Sequence, residues 1–133
     1  MRMLRSSAIA TLCLLTVTVG AATGSYDLPQ RMELKRTDLS GAPGMEVITS
    51  VTELRKGESV PRHSHHGVET AYVLQGTMVQ LPGKEPTMME TGTANLNLRD
   101  VPHAGFTVVG ETPLKLVTVH IVDKGKPLYE WVK

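Results

Sequence analysis

Two histidines separated by one residue and followed closely by a glutamate constrain this chain more than any other feature. They lie in the stretch from Gly57 to Gly76, as His63, His65 and Glu69. On an extended strand successive side chains alternate between faces, so His63 and His65 point to the same side. Glu69 follows Gly67, a residue that lets the backbone turn sharply. The run Thr70 to Leu74 is β-branched, aromatic and aliphatic, which favours a second strand. A chain folding back at His66-Gly67 sets Glu69 opposite the two histidines. Neutral imidazoles and a carboxylate meeting at one point make a site for a divalent first-row transition metal. His66 has the opposite parity and is expected outside. The other two histidines, His103 and His120, lie far along the chain, and either could close the site.

The rest of the sequence reads as β structure. Turn residues recur at short intervals: Gly41-Ala42-Pro43-Gly44, Lys56-Gly57, Gly67, Gly76, Leu81-Pro82-Gly83-Lys84, Gly92, Pro102, Gly110 and Lys124-Gly125-Lys126-Pro127. Between them lie short runs rich in Val, Thr, Leu and Met. Strands are predicted over Arg31–Lys35, Glu46–Leu54, His63–His66, Glu69–Leu74, Thr77–Leu81, Thr87–Glu90, Ala94–Leu98, His103–Val108 and Leu114–Val122, with Pro82–Pro86 as a hairpin loop. No helical-length stretch after the first residues carries a 3.6-residue apolar period. The expectation is an all-β sandwich or barrel.

The amino terminus has a different composition. Met1-Arg2-Met3-Leu4-Arg5 is basic, Ala8 to Val19 is apolar and uncharged, and Val19-Gly20-Ala21-Ala22 supplies small residues. That is the layout of a secretory signal peptide, residues 1–22, with cleavage between 21 and 24. The apolar run falls short of the ~20 residues that span a bilayer. The single cysteine, Cys13, lies inside it, so residues 23–133 offer no disulfide, thiol ligand or thiol nucleophile. Those residues suffice for one domain. A formal charge of +1, with one Phe, one Trp and three Tyr, gives no basic, aromatic-interleaved surface for nucleic acid. It gives no reason to expect membrane binding once the leader is gone.

The central stretch resembles the cupin superfamily. Gly57, His63, His65, Glu69 and Gly76 stand at every fixed position of the first cupin motif. Of the second motif, Gly92 and His103 keep their separation, while Leu98, Asp100 and Thr107 stand for its proline, glycine and asparagine. Pro102 precedes His103 and could restore some rigidity. The resemblance covers roughly Arg31 to Leu128 and is similar to the compact, microbial end of the family. It implies a double-stranded β-helix, or jelly-roll barrel. It also implies a metal held by His63, His65, Glu69 and His103, a homodimer, and export to a bacterial periplasm. In cupins a segment such as Tyr26–Arg36 often crosses to a neighbouring subunit; the alternative is a leader left after export.

Four protein ligands around an octahedral ion leave two positions for water, dioxygen or a chelating substrate. Ligand type admits Fe, Mn, Ni, Cu, Zn or Co. A small-molecule metalloenzyme of dioxygenase or oxidoreductase type is the leading expectation. A non-catalytic module for a small ligand or a metal is the alternative, since no general acid or base stands out beyond the ligands. His120 reads as a core histidine or a pocket-lining group. Leu98, Phe106, Met78, Met88 and Met89 are candidates to line the pocket. Arg62 and Arg99 are candidates to grip a carboxylate, with solvation their ordinary role.

Overall fold

A computed structural model describes residues 27–133; the expected leader, residues 1–22, lies outside the described residues. The described chain forms β1 (Arg31–Asp38), β2 (Met45–Leu54), β3 (Ser59–Val60), β4 (His63–Ser64), β5 (Gly67–Gln75) and β6 (Thr77–Gln80). It continues with β7 (Thr87–Met89), β8 (Ala94–Asn97), β9 (Phe106–Val108), β10 (Leu114–Asp123) and β11 (Glu130–Trp131). Among the described residues there is no helix, and hence none long and apolar enough to cross a membrane. A five-stranded sheet, β1-β2-β10-β5-β8, opposes a four-stranded sheet, β3-β9-β6-β7, and β11 pairs with β4. Every pairing is antiparallel. This is the expected all-β jelly roll.

The long strands alternate as the period-2 pattern requires. Ile48, Ser50, Thr52 and Leu54 of β2, Glu69, Ala71 and Val73 of β5, and Thr118, His120 and Val122 of β10 are buried. Val60, Val79 and Val108 of the opposing sheet meet them, with Leu114, Leu128 and Tyr129 completing the core. The hairpin joining β6 to β7 across Pro82–Pro86 forms as the sequence predicts.

Four expectations are corrected. First, the histidine strand and the glutamate strand do not form a hairpin. β4 pairs with β11, whereas β5 lies between β10 and β8, so the chain changes sheets at His65-His66. Gly67 is required by contact rather than by turn geometry. A Cβ there would lie 2.1 Å from the Ile121 carbonyl oxygen and 2.5 Å from the Val122 Cα. Second, Arg31–Arg36 is not a loose leader. It lies in β1, which edges its own sheet from Arg31 opposite Thr52 to Asp38 opposite Glu46. Its charged side chains suit a solvent-facing edge, and Arg36 pairs with both Glu33 and the buried Glu46 carboxylate. Third, β9 begins at Phe106 rather than His103. Ala104 and Gly105 take positive φ values of 59° and 85°, which ends pairing there. Fourth, β3 and β11 escaped the sequence reading because two residues show no alternation.

Gly67→Ala drives a methyl group into the β10 backbone, an overpacking with no flexible side chain to yield. The expected result is a loss of about 3 kcal/mol or more in urea unfolding, or failure to fold, where an exposed Gly→Ala change would be near neutral.

Candidate metal centre

His63 sits in β4, His65 just beyond it, Glu69 in β5, and His103 before the turn into β9. A reciprocal backbone pair joins the distant segments: the His63 amide donates to the His103 carbonyl at 3.1 Å, and the His103 amide returns to His63 at 2.8 Å. The Asp100 amide donates to the His65 carbonyl at 2.9 Å. Asp100 occupies the position where the second motif carries glycine. It adopts a φ of 58°, a left-handed conformation that aspartate reaches more readily than most residues. The departure in sequence therefore keeps the backbone shape.

Each of the three imidazoles is oriented by a carbonyl. The Nδ1–H of His63 donates to Pro61 at 2.8 Å, that of His103 to Val101 at 3.0 Å, and that of His65 to Leu128. A carbonyl only accepts, so Nδ1 carries the proton in all three rings and Nε2 presents its lone pair. The Nε2 atoms converge on Glu69. Its Oε2 lies 3.1 Å from His103 Nε2 and 3.4 Å from His65 Nε2. One donor atom from each of His63, His65, Glu69 and His103 falls within 4.8 Å of the others.

The 3.1 Å and 3.4 Å separations fit neighbouring ligands of a cation, and the 4.8 Å limit lies slightly beyond the span of opposite ones. Bonds of about 2.1 Å place neighbouring octahedral ligands about 3 Å apart and opposite ones about 4.2 Å apart. The His65 Nε2 is buried with no hydrogen-bond partner. Three lone pairs facing a carboxylate repel it unless a proton or a metal ion lies between them. The donor set, two or three imidazoles with a carboxylate, suits a first-row divalent ion.

The surroundings reinforce this charge balance. Burial opposes ionisation of Glu69, but the close imidazoles of His103, His120 and His65 outweigh it and hold the carboxyl well below its ordinary range. Asn97 adds an N–H bond to Oε2 at 2.7 Å from the facing register position on β8. Burial lowers His63 to about 4, against the pull of its bond to Pro61. Burial also acts on His103, but the Glu69 carboxylate prevails and raises it. His120 is fully buried on β10 opposite Glu69, with Nε2 3.3 Å from Oε1. It is the core histidine of the two readings and is lowered by burial.

Beneath the centre, Tyr129 packs edge-on to His63 and His65 and stacks on Trp131 at 4.9 Å, nearly parallel. Above it, a cavity of about 520 Å³ opens past Glu69, His63 and His103. Met88, Met89 and Phe106 line it as expected, whereas Met78 and Leu98 do not; Leu98 faces solvent. Arg62 and Arg99 lie outside the lining, Arg99 being paired with Asp123. His66 is outside as well, bridging Asp100 and Glu130.

A family profile described as Cupin domain (Cupin_2) matches residues 50–120, more than half of the chain. The chain belongs to this cupin family. Two solved structures resemble the cupin fold seen here. One is an uncharacterised conserved protein with a double-stranded β-helix domain from Klebsiella pneumoniae, at 18% identity and a TM-score of 0.57, covering 77% of this chain and 83% of that one. The other is the polyketide cyclase RemF from Streptomyces resistomycificus, at 20% identity and 0.51, covering 70% and 75%. No curated protein matches the sequence.

Asn97, Tyr129 and the Leu128 carbonyl are the site groups that sequence reasoning missed. Parity along the strand containing Leu98 offered the one available signal, since Asn97 has the opposite facing.

Protonation and metal compete for the same Nε2 lone pairs, so affinity falls as pH drops. His103 titrates first because it is raised above 6.5, while His63 resists until about 4. Zinc affinity in chelator competition should therefore fall about tenfold per pH unit below the His103 range. A flat profile between pH 8 and pH 5 would exclude His103 as a ligand. Without metal, His63 holds fewer protons folded than unfolded between about 4 and 6.5, so stability falls as pH falls through that window.

Proposed function

We propose that this cupin binds one divalent transition-metal ion through His63, His65, Glu69 and His103 and uses it on a small organic molecule, as an oxidoreductase of dioxygenase type. The observation that carries the reading is the convergence of three oriented Nε2 lone pairs and a buried carboxylate beside an open, largely apolar cavity. The ion, when bound, supplies Lewis acidity and open coordination positions and, for a redox-active metal, electrons for oxygen chemistry. The protein's own part is positional. Three backbone carbonyls fix the imidazoles, Asn97 and His120 flank the Glu69 carboxylate, and Tyr129 with Trp131 closes the lower side. Such preorganisation keeps the ligand set in place without substrate. The cavity walls of Val, Met, Leu and Phe exclude water from a bound molecule.

A non-catalytic reading has one specific support. Among the described residues, apart from Glu69, His63 and His103, the only titratable group lining the cavity is Glu90, at an exposed position. A general acid or base independent of the ligands would have to be Glu90. The test is metal analysis of the purified protein followed by oxygen uptake on phenols, thiols and oxalate. One ion per chain with turnover supports the enzyme; one ion with no turnover leaves the binding module. His65→Ala should lower occupancy at least tenfold, and full retention would sink the ligand set.

Export through the leader of residues 1–22 to a periplasm is part of the same proposal, supported by its three-part composition. So is a homodimer. Met32, Val51, Val117, Tyr72 and Ala94 lie in register across all five strands on the outer face of the larger sheet. Met32, Tyr72 and the neighbouring Leu96 are 60%, 46% and 64% exposed. This row is uncharged and Glu53 beside it is paired with Lys115, so two copies can pack on it in the face-to-face manner of sandwiched sheets. Sedimentation velocity should show a dimer that Tyr72→Lys converts to monomer with the fold intact; a monomeric parent protein would refute this.

A further inference from the structure

We infer that the cavity takes a largely apolar molecule carrying at most one negative charge, bound head-first at the metal and recognised again by Asn95 about 7 Å further out. The inference rests on the metal reading above and adds the class of ligand.

Charge is the first argument. The cavity wall is built of apolar side chains, among them Val79, Met88, Met89 and Phe106, and its charged members are Glu69 and Glu90. Among the described residues, no lysine or arginine lines it. A divalent ion with Glu69 leaves one net positive charge at the head of the cavity. One anionic oxygen, such as a phenolate, an enolate or a single carboxylate, neutralises it. A second anionic group further out would meet Glu90 as its charged neighbour and no cation among the described residues lining the cavity. Phosphate esters and dicarboxylates are disfavoured on this account.

The second argument is the spacing along β8. Asn97 is in register with Glu69, and Asn95 with Ala71. Thr93, Asn95 and Asn97 all line the cavity, as alternation on one strand face requires. Asn97 is committed to Glu69 at the centre. Asn95 does not share that tie. At about 3.4 Å per residue its amide stands about 7 Å further from the metal end. Its neutral amide offers both a donor and an acceptor, so it suits a hydroxyl or carbonyl and gives no ion pair to a carboxylate. At about 520 Å³ the space lies within the usual range for small-molecule pockets.

The test uses the zinc-loaded protein and three chelating diphenols followed by isothermal titration calorimetry. They are 4-phenylcatechol, 4-(4-hydroxyphenyl)catechol and 4-(4-carboxyphenyl)catechol. The distal hydroxyl should tighten binding about five- to tenfold over the plain phenyl, and the distal carboxylate should weaken it at least tenfold relative to the hydroxyl. Asn95→Leu should abolish the hydroxyl advantage while leaving 4-phenylcatechol within about twofold. Asn95→Lys should reverse the order and make the carboxylate the tightest of the three, a gain that a misfolded variant could not show. Equal binding of hydroxyl and carboxylate to the parent protein would overturn the inference. So would equal loss of all three in Asn95→Leu, or zinc bound at one per chain with no diphenol binding. Failure of zinc itself to bind would instead overturn the metal reading, and the inference with it.

Discussion

An ionised carboxylate inside a protein has to be answered by positive charge or by donors, and Glu69 is the group on which this structure turns. It is 7% exposed and sits in the middle of the five-stranded sheet, between β10 and β8. Isolated burial of such a charge costs several kcal/mol even after relaxation. The Asn97 amide donates to Oε2 across the strand pair, while His65 and His103 face Oε2 and His120 faces Oε1 with nitrogens that a proton or a cation must join to the carboxylate. A bound cation completes that balance, because three of the imidazole protons are already committed to backbone carbonyls. The same arithmetic leaves the centre with one net positive charge, which is why the uncharged cavity wall matters for what enters.

The geometry around Glu69 is held by backbone more than by side chains. The paired amides of His63 and His103 clamp the two motif segments together, and Pro61, Val101 and Leu128 set the ring tautomers. Substituting a ligand changes one donor. Moving a strand changes the aim of a whole ring. Gly67 illustrates the second case, since its missing side chain lets β5 lie against β10 closely enough to put Glu69 opposite His120. Ala104, at a φ of 59° directly after His103, holds a conformation that costs a non-glycine residue about 1 kcal/mol or more.

Much of this was legible in the sequence where the physics is local. Strand parity separated His66 from His63 and His65, and the structure agrees, burying the latter two and leaving His66 to bridge Asp100 and Glu130. The separations of His63, His65, Glu69 and His103 nominated four groups that do come together. What stayed hidden depends on long-range contact. Nothing near Gly67 in sequence announces the Ile121 carbonyl, so the residue was taken for a turn-former. A carbonyl oxygen such as that of Leu128 belongs to every residue and carries no sequence signal. Asn97 was passed over because Leu98 looked like the pocket-former, although a strand sends the two to opposite faces.

The bond from His65 to Leu128 spans 63 residues, and β11, just beyond Leu128, pairs with β4. A ribosome makes His65 long before that partner emerges. Until then the ring is free to present either nitrogen, and the centre exists only as loose donors. The ring orientation that leaves the His65 Nε2 free is thus set only when residues 128–131 dock against β4, late in the order in which the chain is made.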